Sequence, residues 1–295
     1  MNDAIRTPDE LTEGLPDFPF ASSYQVFDDG LRLAYLDEGQ GSPVLFVHGE
    51  PTWSFLWRKV IPPVRDAGYR CIAPDLAGFG RSDKPVDDDW YTYDRHTETI
   101  TRLVEDLDLR DATIVVHDWG GPIGLRVAVE HAERISRIVI MDTGLFTGHQ
   151  KMTDTWLAFQ AFVESAEELP IGLLIRRACK RDPGDEVIAA YEAPFPNEDS
   201  KAGARAFPRI LPTSPEMPGA EAGQRVLDAL RSDTRPKLVL WADSDPVLTL
   251  ETGERFAAAL GTAIDHVIAD AGHFLQEDAG AEIGELIAGW LGPAA

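Results

Sequence analysis

The chain reads as an α/β protein: a mostly parallel eight-stranded sheet with helices on both faces and a helical cap inserted late in the strand order. Three features predict this. Short β-branched apolar runs alternate with helical stretches over most of the length, as βα units do. One run, TIVVHDWGGPIG at 113–124, is an apolar strand that breaks abruptly into a glycine-rich helix start at Asp118. Between Leu145 and Arg235 the alternation stops, and helical stretches, many prolines and the aromatics Phe146, Trp156, Phe159, Phe162, Phe195 and Phe207 replace it.

In chain order, the first twenty residues are acidic and proline-broken, with neither a basic n-region nor an apolar h-region, and no later run reaches the length of a membrane span. A cytoplasmic location is expected. Tyr24–Phe27 and Leu31–Leu36 flank Asp29-Gly30, the two-residue hairpin signal, so the chain opens antiparallel. Val44–Val47, Cys71–Ala73, Ile114–Val116 and Ile138–Met141 follow as short core strands, most of them separated by helical patterns. After the cap come Leu238–Trp241 and Ile264–Ile268. The division expected is a core over 1–144, a cap over 145–235 and a second part of the core over 236–295.

With 44% apolar and 9% aromatic residues the chain can bury a large core. A formal charge of −23 repels nucleic acid and anionic membranes, and serves solubility. Cys71 and Cys179 make no disulfide framework and lack metal-ligand spacing, so both are expected as reduced structural thiols. No cofactor or metal is expected.

Open α/β sheets place their sites beyond the carboxyl ends of the strands, and the loops there carry the chemistry. The sharp turn lifts Asp118 out of the sheet, while Gly120 and Gly121 let the chain pass close to its neighbours. The turn thus has the form of the nucleophile elbow G-x-S-x-G with aspartate in place of serine. Alone, Asp118 fits equally the N-cap of the next helix. HGEPTW follows a strand directly, so the backbone N–H groups of Glu50 and Trp119 can meet as an oxyanion hole. His48 there is read as an imidazole that fixes the loop, and Asp75–Pro85 as an architectural loop. WADSDP offers Asp243 and Asp245; DAGHFLQED offers His273. Nucleophile, acid, histidine is the chain order of α/β-hydrolases. Asp245 is the expected acid, with Asp243 capping the turn and Asp142 a second position from which a carboxylate could orient the same ring.

Together HGEPTW, HDWGGPIG, WADSDP and DAGHFLQE resemble the haloalkane dehalogenases of the α/β-hydrolase superfamily, over nearly the whole chain. The subfamily with two halide-binding tryptophans is the most similar. The resemblance implies that Asp118 displaces halide, that His273 activates water, that Asp245 is the acid, and that Trp119 and Trp156 bind halide. It also implies a small neutral halogenated alkane and water as partners, with halide as product, and a monomer or small homo-oligomer. Asp142 departs from the pattern, which leads one to expect asparagine there or, in another subfamily, a catalytic glutamate.

The chemistry suits these residues. A carboxylate serves in-line displacement at saturated carbon and leaves an alkyl ester on the enzyme. A departing halide needs directed N–H donors in a dry pocket, and indoles are donors on apolar bodies. An epoxide hydrolase shares the aspartate and histidine but needs acidic O–H donors, usually paired cap tyrosines in that family; this cap holds only Tyr191. A fluoroacetate-type enzyme would need cations, and only Arg126 stands near the turn. The remaining alternative is a non-catalytic binding protein on the same fold, against which Asp118, Asp245 and His273 all argue.

Overall fold

A computed structural model describes residues 3–293. One sheet holds eight strands: β1 Ser23–Val26, β2 Arg32–Glu38, β3 Pro43–Val47, β4 Arg70–Pro74, β5 Ala112–His117, β6 Ile135–Met141, β7 Lys237–Ala242 and β8 His266–Ile268. Their spatial order is β1-β2-β4-β3-β5-β6-β7-β8. Strand β2 runs antiparallel to β1 and β4, and every other neighbouring pair is parallel. The hairpin turns at Gly30, which has φ +86° and needs no Cβ to accommodate it. Strand β5 is buried at every residue, as its unbroken apolar run requires of a strand covered on both faces.

Among the described residues there are ten α-helices: α1 Ile61–Asp66, α2 Tyr93–Asp106, α3 Gly120–Glu130, α4 Asp154–Ser165, α5 Ile171–Ala178, α6 Asp185–Glu192, α7 Ala202–Ile210, α8 Ala220–Arg231, α9 Leu250–Ala259 and α10 Leu275–Leu291. Local chemistry starts several of them. The hydroxyls of Thr92, Thr153 and Thr249 accept the N–H groups of Arg95, Trp156 and Thr252, capping α2, α4 and α9. Against the sheet, α1 packs with α10, and α2 and α8 both pack with α3. Among the described residues no helix is long and apolar enough to cross a membrane.

The interval without strands lies between β6 and β7 and holds α4 to α8. Its last helix does not stay with the others: α8 lies along α3, burying Ala220, Ala222, Gly223, Val226 and Leu230. Its apolar stripe is legible in the sequence, but the surface that a stripe meets is a property of the assembled chain. Helices α4 and α7 pack together, and the Gln160 side chain donates to the Pro208 carbonyl at 3.0 Å.

A buried cluster ties this helical region to the core. Arg58 forms a bidentate pair with Glu277, and Tyr191 on α6 donates to Glu277 Oε1 at 2.5 Å. All three side chains are buried, and Lys59 reaches the same carboxylate at 3.1 Å. A second tie joins the end of α5 to the start of α10, where Asp278 accepts the N–H groups of Lys180 and Arg181, each at 2.8 Å. Near the N-terminus, the buried Lys84 ammonium donates to Thr7 and to the carbonyls of Gly80 and Ser82, while burial lowers its pKa to about 7.

Removing one member of a buried ion pair strands the other's charge. Arg58→Met is therefore expected to lower unfolding free energy by about 3 kcal/mol, the lower end of the usual range because Lys59 remains. Tyr191→Phe, which removes one hydrogen bond to a charged group, should cost about 1–3 kcal/mol. Urea denaturation of the whole chain measures both; equal, negligible losses would show that the cluster does not hold the helical region down.

Candidate active site

Strand registry brings five loops out of the sheet side by side. Val47 pairs with Val116, His117 with Met141, Met141 with Leu240 and Ala242 with Ile268, so β3, β5, β6, β7 and β8 end near one edge. The residues that follow those ends are Glu50, Asp118, Asp142, Asp245 and His273. The edge is the one open α/β sheets use.

Asp118 follows β5 directly with φ +48°, a left-handed backbone rarely adopted by residues that carry a Cβ. That turn starts α3 and points the carboxylate back over the sheet. Its Oδ1 accepts the Glu50 N–H at 2.7 Å, and the Trp119 N–H also bonds the carboxylate. The two backbone donors expected to face one another therefore do so, around Asp118 itself. The approach is close enough to demand glycine: a Cβ on Gly49 would strike Asp118 Oδ1, and one on Gly121 the Thr143 hydroxyl. Thr143 Oγ1 donates to the Asp118 carbonyl at 2.5 Å, locking the elbow from the β6 side.

The other oxygen, Asp118 Oδ2, lies 3.4 Å from His273 Nε2. His273 Nδ1 bonds Asp245 Oδ2 at 2.7 Å, and Asp245 Oδ1 accepts the N–H groups of Val247 and Leu248 at 2.6 and 2.9 Å. Asp243 accepts instead from the N–H groups of Asp270 and Ala271, tying the β7 loop to the loop that carries His273. Asp142 is fully buried, and the Ala242 N–H reaches its Oδ1 and Oδ2 at 3.3 and 3.2 Å. The ring of His273 thus meets Asp245 rather than Asp142. The cap contributes too, since the Ala178 carbonyl accepts the His273 N–H at 2.8 Å.

Charges in this edge are strongly coupled. Burial alone would lower the His273 imidazole, but Asp245 and Asp118 on its two nitrogens outweigh that and hold it well above the ordinary histidine value. Burial alone would raise Asp118, but the hydrogen bond and charge of His273 outweigh it and bring the carboxyl below its usual value. Burial disfavours the charged form of three further histidines. His48 Nδ1–H donates to Gly49 O and its Nε2 accepts the Leu76 N–H, both at 2.8 Å, which fixes the loop before Glu50. His117 Nε2–H donates to the His273 carbonyl at 2.8 Å, and burial pushes that imidazole down to about 4. His96 is driven down to about 3 by burial.

Around the carboxylate, Trp119 packs on Phe207 of α7 at 4.8 Å and on Phe146 at 6.4 Å. Trp156 stands half-buried on the first turn of α4, with no ring contact to Trp119. The structure thus links Trp119 to the cap through Phe207. Tyr191 spends its O–H on Glu277 and is fully buried, and Arg126 is engaged by Asp94 and Glu130. Neither is available to an epoxide oxygen or a substrate carboxylate.

Three contributors had not been singled out from the sequence. The Glu50 side chain is buried, and burial followed by the Asp118 charge raises its carboxyl well above the usual range. Thr143 supports the turn at Asp118, and His117 supports His273. Their only sequence signal is adjacency: each stands next to or one strand away from Asp118, Asp142 or Asp245.

A family profile for the alpha/beta hydrolase fold matches residues 42–280. The haloalkane dehalogenase of Mycobacterium marinum is 41% identical over 98% of this chain and 99% of its own. The haloalkane dehalogenase of Psychrobacter cryohalolentis is 40% identical, with 96% of each chain covered. Among solved structures, the tetrameric haloalkane dehalogenase DpaA of Paraglaciecola agarilytica superposes with a TM-score of 0.90 at 34% identity, covering 96% of this chain and 97% of the other.

The two carboxylates on His273 make a testable electrostatic signature. Nitrogen NMR should find the ring doubly protonated through the ordinary histidine range, with His117 and His96 neutral down to about pH 4 and about pH 3. In Asp118→Asn the His273 midpoint should fall, because an anion that favoured the cation is gone. An unchanged midpoint would mean that Asp118 does not act on the ring.

Proposed function

The chain belongs to the haloalkane dehalogenases of the α/β-hydrolase fold and hydrolyses haloalkanes to an alcohol and halide; we propose that it does so through a covalent ester on Asp118. The observation that carries this reading is the division of labour between the two Asp118 oxygens. Oδ1 accepts the Glu50 N–H, the Trp119 N–H favours the charged carboxylate, and Oδ2 is left on the side of His273 Nε2. Oδ2 attacks the carbon bearing the halogen, forming the C–O bond as the carbon–halogen bond breaks, and the halide leaves with the electron pair. Eighteen per cent of the Asp118 side-chain surface is open, so a substrate carbon has a face from which to approach.

In the second step water attacks the ester carbon. His273 takes the proton at Nε2, and the negative charge that develops on Oδ1 is met by the Glu50 N–H already bonded to it, with the Trp119 N–H on the same carboxyl group. As the carbonyl re-forms, the Cγ–Oδ2 bond breaks and the alkoxide takes the proton back from His273 to leave as the alcohol. Asp245 holds the ring by Nδ1 and stabilises the imidazolium. The high resting pKa of His273 suits this sequence. Alkylation neutralises Asp118 and removes one of the two anions that favour the imidazolium. The ring therefore becomes a better source of neutral imidazole when the ester needs it. Water attack should slow as pH falls through the His273 pKa of the alkyl-enzyme, which lies below that of the resting enzyme.

Trp119 and Trp156 are proposed as the halide donors. Both indole N–H groups lack a hydrogen-bond partner among the described residues, and Trp119 adjoins the nucleophile. We further propose a cytoplasmic enzyme that acts as a monomer or small homo-oligomer, on the strength of its acidic, water-compatible composition.

His273→Ala protein treated with 1,2-dibromoethane should gain the mass of one bromoethyl group on Asp118 and keep it, because the ester forms without the base but is not hydrolysed. An unmodified Asp118 would sink the covalent mechanism. Bromide should quench tryptophan fluorescence, and Trp156→Phe should weaken that quenching; an unaltered titration moves the second donor elsewhere.

A further inference from the structure

Asp142 is the carboxylate left without a role by this mechanism. It follows β6, is fully buried, and takes a left-handed backbone with φ +30°. Its backbone carbonyl accepts the Asp118 N–H at 3.2 Å, so it is built into the elbow. Its side chain has one backbone donor, the Ala242 N–H, split between both oxygens at 3.3 and 3.2 Å. Asp245, beside it, collects two backbone N–H groups and the His273 ring. The Asp142 and Asp245 side chains lie within hydrogen-bond reach of one another. Two buried carboxyls so placed do not both ionise, and the one with fewer donors keeps the proton.

We propose that Asp142 is a neutral carboxylic acid whose O–H donates to Asp245, forming an acid pair behind His273 in which Asp245 holds the charge and Asp142 positions it and can supply charge when Asp245 cannot. The proposal rests on the reading of Asp245 as the catalytic acid. The charged and titratable groups that act on Asp142 are Asp245 and His273. Burial first, and then the Asp245 charge, lift the Asp142 carboxyl well above the usual range, while Asp245 is held below it by His273 and its backbone donors against the effect of burial. An asparagine at 142 would offer an N–H at the same place, so the geometric part of the role does not require an acid. What only an acid offers is a proton that can be given up. When Asp245 is lost, Asp142 can ionise and stabilise the His273 imidazolium at one remove. Asp142 is thus a positioning residue that touches no substrate.

The test uses Asp142→Asn, Asp245→Asn and the double variant, all near-isosteric, with the first chemical step read separately as ester formation on Asp118. Infrared difference spectra of wild type minus Asp142→Asn at neutral pH should show the C=O band of a protonated carboxylic acid; Glu50 is present in both proteins and cancels. The acidic limb of ester hydrolysis should stay or move slightly upward in Asp142→Asn, because an amide is a weaker donor and leaves Asp245 more basic. An ionised Asp142 would give no such band, and its removal would drop the limb by about one pH unit or more; that result overturns the proposal. Asp245→Asn should hydrolyse the ester measurably, whereas the double variant should fall towards the ~10⁴-fold loss caused by an amide in the acid position. Equal losses in the single and double variants overturn the substitute role. Wild-type hydrolysis by Asp245→Asn would instead overturn the reading of Asp245 as the acid, a failure distinct from the absence of the infrared band.

Discussion

The site depends on keeping a negative charge on Asp118 where little water reaches it. A carboxylate taken from water is stabilised only if donors and a counter-charge replace the lost hydration. Here the Glu50 N–H replaces it on Oδ1, the Trp119 N–H on the same carboxylate adds to it, and His273 stands by Oδ2. Those donors are oriented by backbone rather than by flexible side chains, so in the proposed mechanism they need no rearrangement when charge develops on the ester carbonyl. The left-handed turn at Asp118, the glycine at 49, the neutral His48 and the Thr143 hydroxyl all follow from that requirement. The first three bring a backbone N–H within reach or prevent a clash with the carboxylate, and the Thr143 hydroxyl holds the turn through the Asp118 carbonyl.

The same charge sets its neighbours. His273 is favoured as a cation while Asp118 is an anion, and Asp245 can be ionised because it takes three donors. The cap enters the same network in two ways. Phe207 covers Trp119, and the Ala178 carbonyl holds the His273 backbone. Its attachment through the Arg58–Glu277–Tyr191 cluster and Asp278 therefore also positions His273 and the apolar wall beside Asp118.

Much of this was legible beforehand where one residue type has few uses. The β-branched runs marked the sheet because unbroken apolar segments of that length have to be covered on both faces. All eight were recovered as strands, although the last is shorter than its apolar run and β8 keeps only His266–Ile268. Asp118, His273 and Asp245 stood out through their order on successive loops, and the sheet brings them together. Other details were not legible because they depend on contacts distant in sequence. The side chain of Glu50, the support from His117, the place of α8 beside α3 and the commitment of Tyr191 to Glu277 each require knowing what lies across the fold.

By itself the sequence determined the alternation of strands and helices, the aspartate at the elbow and the chain order of Asp118, Asp245 and His273, because these follow from local periodicity and from the chemistry of each side chain. Only the tertiary structure decided which carboxylate meets the His273 ring and which keeps its proton. Asp142 and Asp245 are the same residue type on neighbouring strand ends. What separates them is the number of backbone N–H groups that the assembled sheet turns towards each: one shared donor for Asp142, two for Asp245 in addition to the ring. A buried charge goes where the donors are, and donors are counted only after the chain has folded.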